Sequence, residues 1–112
     1  MILIIGGRFS GKKEYAKENF SVCDNDFSQN LESEKPVIWG IENFNGEISD
    51  ELLEKLANKK ILIASETGCG VVPMLKEERE QRERTGQLLQ ALAKRAKKVV
   101  RVFCGIGTVI KE

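Results

Sequence analysis

Near its start the chain runs Gly6-Gly7-Arg8-Phe9-Ser10-Gly11-Lys12-Lys13, a composition suited to wrapping a phosphate. The phosphate-loop pattern G-x-x-x-x-G-K-[ST] is matched in register by Gly6, Gly11 and Lys12. Glycines let the backbone curl so that successive N–H groups point inward. A helix beginning behind them adds the partial positive charge of its N-terminus, and a lysine at this spacing reaches the outer phosphates. Arg8, Ser10 and Lys13 complete the candidate cradle for ATP or GTP. The last position departs from the pattern, because Lys13 stands where a Ser or Thr hydroxyl would hold Mg²⁺. An ammonium cannot coordinate that ion, and Ser10 offers its hydroxyl from another part of the turn. Phosphate binding is therefore expected without a hydroxyl placed for Mg²⁺. The alternative is a tight strand-to-helix turn that keeps its shape and binds nothing.

A second glycine-bearing segment is Ser65-Glu66-Thr67-Gly68-Cys69-Gly70-Val71-Val72-Pro73. Gly68 and Gly70 permit close backbone approach, and Glu66 could bind a ribose hydroxyl, a metal-bound water or an amine. In an open α/β sheet, loops at the carboxyl ends of strands form the binding crevice, so both glycine segments are expected there. Beyond it, Leu75, Arg79, Arg82, Gly86, Leu89, Ala93 and Ala96 recur at four-three spacing and share one helix face. That spacing aims Arg79 and Arg82 at the crevice or at a subunit interface, where planar guanidinium groups pair with carboxylate or phosphate. The alternative is a solvated, arginine-rich surface. Glycine inside a helix costs ~1 kcal/mol against alanine, so close packing at Gly86 is the expected compensation.

Composition removes several chemistries. None of the 112 residues is histidine, which excludes Ser-His and Cys-His nucleophile pairs, histidine metal ligands and a covalent nucleotidyl-histidine within this sequence. With 18 Lys+Arg against 17 Asp+Glu and 6% aromatics, nucleic-acid binding has no electrostatic or stacking basis. Apolar runs fall far short of the ~20 residues that span a bilayer, and Met1 leads straight into Ile2-Leu3-Ile4-Ile5 without the marks of a signal peptide. Cys23, Cys69 and Cys104 are odd in number and widely spaced, which fits a reducing cytoplasm and no disulfide framework.

The frame for these residues is α/β: one domain over residues 1–112 with about five mainly parallel strands flanked by helices. Ile2 to Ile5 is a strand of the kind buried on both faces, followed by a helix over 11–20. Phe20-Ser21-Val22-Cys23 is expected as a short second strand and 24–35 as a surface loop. Pro36 to Trp39 is the third strand, and Ser49 is the N-cap of a helix whose stripe is Leu52, Leu53 and Leu56. Asp50 and Glu51 suit its positive end, and Ile48 is expected to staple against Leu53. Ile61 to Ala64 and Val99 to Cys104 are strands four and five, separated by a helix over roughly 75–98.

At these residues the chain resembles the bifunctional adenosylcobinamide kinase / adenosylcobinamide-phosphate guanylyltransferase family. Residues 5 to 12 are similar to its opening glycine turn with one residue fewer. Residues 65 to 73 are similar to its S-N-E-x-G-x-G-[IV]-V-P block. Arg79-x-x-Arg82-Glu83-x-x-Gly86, together with Cys104-Gly105-Ile106-Gly107 and Ile110-Lys111, is similar to its final helix and terminal strand. The resemblance implies a RecA-like parallel sheet, ATP or GTP at the glycine turn, a corrinoid substrate and homo-oligomerisation. It also implies catalytic roles for Lys12 and for a carboxylate after the third strand, where Glu42 is the substitute for the family's aspartate. Lys13 replaces the family's Ser, Gln81 its aromatic residue and Leu89 its Asn. The middle segment carrying the family's histidine has no counterpart. Kinase chemistry is thus the activity the resemblance leaves open, with a non-catalytic regulatory or binding subunit as the alternative.

Overall fold

The computed structural model describes residues 1–7, 11–31, 33–44, 48–65 and 76–112. The described chain forms β1 (Ile2–Gly6), α1 (Lys12–Phe20), β2 (Phe27–Ser28), β3 (Val37–Ile38), α2 (Asp50–Ala57), β4 (Ile61–Ser65), α3 (Lys76–Arg95), β5 (Lys98–Phe103) and β6 (Ile106–Lys111). One six-stranded sheet has the order β2-β3-β4-β1-β5-β6. All neighbours are parallel except the β5–β6 hairpin. This is the mainly parallel α/β sheet expected, with one strand more.

Alternation along the strands makes two cores. Leu3, Ile38, Leu62, Ala64 and Val99 face Leu53 and Leu56 of α2 and Leu88 and Leu92 of α3. Ile4, Val37, Ile61, Ile63, Val100 and Val102 face Ala16 of α1. Continuous apolar runs such as Ile2 to Ile5 thus bury both sides of the central strands, each large side chain contributing roughly 1.5–3 kcal/mol. The expected cap of α2 is present: Leu52 donates its N–H to Ser49 Oγ at 3.2 Å, and Asp50 and Glu51 occupy the first turn.

Four expectations are corrected. Residues 20–23 form no strand, because Phe20 ends α1 and Ser21 takes φ 56, a left-handed conformation incompatible with a strand. Phe20 and Val22 alternate because they pack against the α1-side core. The stretch 24–35 is more than a loop: it contains a 3₁₀ turn (Asp24–Asp26) and the edge strand β2. Its entry is fixed by the Cys23 N–H, which donates to Asp26 at 3.0 Å and holds that carboxyl below its ordinary range. The neighbouring Lys17–Asp24 ion pair raises the Lys17 ammonium.

The sixth strand, β6, follows a two-residue turn. Cys104 (φ 51) and Gly105 (φ 76) are both left-handed, as a type I′ hairpin requires. Finally, the buried seam of α3 runs through Thr85, Leu88, Leu92 and Ala96, with Leu89 and Ala93 only half-buried. Among the described residues, and leaving aside its own helix backbone and chain neighbours, no atom lies within 4 Å of where a Cβ on Gly86 would be.

Candidate functional site

The chain order changes direction across β1: β4 lies on one side of it and β5, reached through α3, on the other. Ligands of open α/β sheets bind at such a switch point, outside the carboxyl ends of the strands. Here Gly6 is the register partner of Ser65, so the chain leaves β1 and β4 at neighbouring points. The two glycine segments read in the sequence start side by side.

After β1, Gly7 is exposed, and among the described residues other than its chain neighbours none lies within 4 Å of its Cβ position. The chain re-enters the described structure at Gly11, whose φ of 85 and lack of a side chain both matter. A Cβ there would lie 3.3 Å from Gly105 Cα, at the tip of the β5–β6 hairpin. α1 starts directly behind, with Tyr15 N–H on Gly11 C=O at 2.9 Å and no side chain capping the helix start. The start of α1, with its partial positive charge, thus lies at the carboxyl edge of the sheet. Tyr15 anchors this helix to the hairpin, for a Cβ on Gly107 would sit 2.3 Å from its ring.

The two lysines diverge. Lys12 folds back toward the end of β1 and donates from Nζ to the Gly7 carbonyl at 2.7 Å. Lys13 turns toward β3 and places Nζ 3.3 Å from the ring centroid of Trp39, a cation–π contact worth ~0.5–2 kcal/mol. Trp39 is itself fixed just beyond β3 by its N–H on Ser28 C=O at 3.0 Å.

Glu42 lies in a 3₁₀ turn (Ile41–Asn43) that begins at Gly40 (φ 73) and is pinned by the buried Ile41. Its Oε1 accepts the Ser65 N–H at 2.9 Å, and its carbonyl accepts the Thr85 hydroxyl at 3.1 Å. Thr85 is the one buried polar residue among those described. The carboxylate is thus tied to the last residue of β4, whose partner across the ladder is Gly6. No sequence pattern marks this arrangement, because both bonds join residues distant in the chain.

Arg8, Ser10, Glu66, Gly68 and Gly70 lie outside the described residues. Arg79 and Arg82 belong to the first half of α3.

A feature missed in the sequence lies at the carboxyl ends of β2 and β3. Gln29, Asn30, Leu31, Gly40 and Phe44 line an open cavity of about 420 Å³. Gly40 is needed there on two counts, its positive φ and the Gln29 side chain 3.0 Å from where a Cβ would be. The visible signal was limited to a glycine after a strand, since the polar stretch 24–35 showed no periodicity.

Residues that could hold a metal are sparse. Among the described residues, no three His, Cys, Asp or Glu side chains cluster suitably. The position that would supply a hydroxyl is Lys13, on Trp39, so the described residues do not fit Mg²⁺. Also among the described residues, no helix is long and apolar enough to cross a membrane.

Comparison with known proteins places the chain beside a characterised family. The family model described as cobinamide kinase / cobinamide phosphate guanyltransferase matches residues 42–110, well over half of the chain, beginning at Glu42 and leaving the first glycine turn outside. No curated protein matches the chain.

Proposed function

The chain belongs to the cobinamide kinase / cobinamide phosphate guanyltransferase family, and from that membership we propose that residues 1–112 act as one unit binding the phosphates of ATP or GTP at the turn 6–13. The observation that carries the reading is the convergence at the β1/β4 exit. Lys12 is bonded to the Gly7 carbonyl just beyond β1, and Glu42 is bonded to Ser65, the ladder partner of Gly6. In this reading the backbone N–H groups of the turn meet the phosphates, the start of α1 adds its dipole, and Lys12 exchanges the Gly7 carbonyl for an outer phosphate.

Lys13 shapes the electrostatics differently from a hydroxyl. Its ammonium lies between the start of α1 and the end of β3, a permanent positive charge near the phosphates that needs no metal ion. Binding in this reading is metal-independent.

The reaction these residues can serve is phosphorylation of a cobinamide-like alcohol. The acceptor oxygen forms a bond to the γ-phosphorus while the bond to the bridging oxygen of the β-phosphate breaks, and ADP or GDP leaves. Glu42 takes the hydroxyl proton, and Lys12 stabilises charge on the transferring group. In this reading the cavity walled by Leu31 and Phe44, with the amides of Gln29 and Asn30, takes the hydroxyl-bearing arm of the acceptor. Guanylyl transfer through histidine forms no part of this reading, since the 112 residues contain none.

A second reading, a regulatory or binding subunit without turnover, is favoured by the same Lys13–Trp39 contact. The charge of an ammonium is not the coordination geometry that a metal gives phosphoryl transfer. Transfer of labelled γ-phosphate to cobinamide separates the two. Turnover above the Lys12→Ala background is expected for the kinase. Nucleotide binding with wild-type turnover at that background establishes the subunit.

A further inference from the structure

The buried seam of α3 carries one residue that packing alone does not call for. Beyond Thr85, which is 3% exposed, the seam continues through the apolar Leu88, Leu92 and Ala96. Threonine is a weak helix former, because its branched side chain loses rotamer freedom against the preceding turn. An apolar residue would fill the same place with no polar atom to satisfy. What threonine adds is a hydroxyl, and that hydroxyl donates to the Glu42 carbonyl at 3.1 Å, 43 positions away in the chain.

The bond reaches the turn on which the site converges. Gly40 and Phe44, which flank the 3₁₀ turn Ile41–Asn43, line the cavity beside β2 and β3. The Glu42 carboxylate accepts the Ser65 N–H at 2.9 Å, at the end of β4 and in register with Gly6. Ile41 is buried in the core that Leu88 and Leu92 share, and the Phe44 N–H closes the turn on the Ile41 carbonyl at 3.1 Å. Burial is non-directional, so an apolar anchor holds such a turn in place without fixing its orientation. A hydrogen bond is directional. With its carbonyl fixed from α3, the Glu42 backbone sets the arc that its carboxylate sweeps.

From this we infer that Thr85 is a positioning residue for Glu42, holding from α3 the backbone that aims the carboxylate at the end of β4. For catalysis this role rests on the kinase reading, in which Glu42 takes the acceptor's proton. For structure it stands alone. Loss of the hydroxyl leaves Lys12 and the glycine turn in place, so nucleotide binding is spared. The transfer step slows, because a proton acceptor works only within hydrogen-bond reach.

Two readouts on Thr85→Val and Thr85→Ser test the role. Amide hydrogen exchange followed by NMR compares the Ser65 N–H with those of Leu62 and Ile63 in the middle of β4. Relative to those two, Ser65 should exchange about tenfold faster or more in Thr85→Val, and within about threefold of wild type in Thr85→Ser. A threonine that only stabilises the fold would move all three amides together. In phosphate transfer to cobinamide, Thr85→Val should lose about tenfold in kcat with its nucleotide dissociation constant within about twofold, and Thr85→Ser should restore kcat. If Thr85→Val does not fold, Thr85→Ala takes its place, alanine being the stronger helix former. A chain that folds with neither makes the hydroxyl a condition of folding and overturns the positioning role. So does a folded variant in which Ser65 keeps its protection relative to Leu62 and Ile63. Faster Ser65 exchange with unchanged turnover overturns the catalytic part of the role. Wild-type protein without turnover overturns the kinase reading instead, and Ser65 exchange then decides the positioning by itself.

Discussion

Exchange of Lys12 for alanine should raise the dissociation constant for ATP or GTP by roughly 10- to 100-fold, because a charge-assisted bond to phosphate is worth ~1.5–3 kcal/mol. The expected loss is specific to the ligand. Lys12 reaches the turn's own backbone at Gly7 and takes no part in either hydrophobic core. The melting temperature of the ligand-free protein should therefore change by no more than about 2 °C. Isothermal titration beside a thermal melt measures both quantities. Equal affinity in wild type and variant would place the phosphates elsewhere than the glycine turn.

The second large effect separates two duties of Glu42. Its carboxylate accepts the Ser65 N–H at 2.9 Å and also serves as proton acceptor in the kinase reading. Glu42→Ala leaves that partly buried donor without its acceptor, a cost of ~1–3 kcal/mol. For a domain of this size the melting temperature should fall by roughly 4–15 °C. Glu42→Gln keeps an oxygen for Ser65 and should melt within a few degrees of wild type, yet its phosphate transfer to cobinamide should drop ~100-fold or more. Transfer that survives in Glu42→Gln removes the carboxylate from the chemistry. A glutamine variant as unstable as the alanine variant would show that charge, and not the hydrogen bond alone, holds β4.

What could be read in advance followed from local physics. Continuous β-branched runs at Ile2–Ile5 and Ile61–Ala64 marked central parallel strands, because burial on both faces suppresses alternation. Ser49 marked the start of α2 through a bond three residues away. Gly11 marked the start of α1, where it takes φ 85.

The misreadings each involve a partner that sequence spacing does not supply. The α3 seam was set one residue off: Thr85 lies on the buried face, where its hydroxyl is satisfied by the Glu42 carbonyl. β6 went unseen because its apolar residues face outward. Lys13 was recognised as the wrong residue for Mg²⁺, but its contact with Trp39 depends on how α1 lies over the end of β3. The cavity beside Gly40 likewise exists only once β2 and β3 are paired.

Lys13 also supplies the sharpest test of the central proposal, metal-independent phosphate binding at a glycine turn. The direct measurement is calorimetric titration of ATP and of GTP into the protein, each with excess Mg²⁺ and with excess EDTA. Binding of at least one nucleotide is expected, with affinities in the two conditions within about threefold and a tenfold or greater loss in Lys12→Ala. Heat released only with Mg²⁺, or no binding of either nucleotide in any condition, would contradict it.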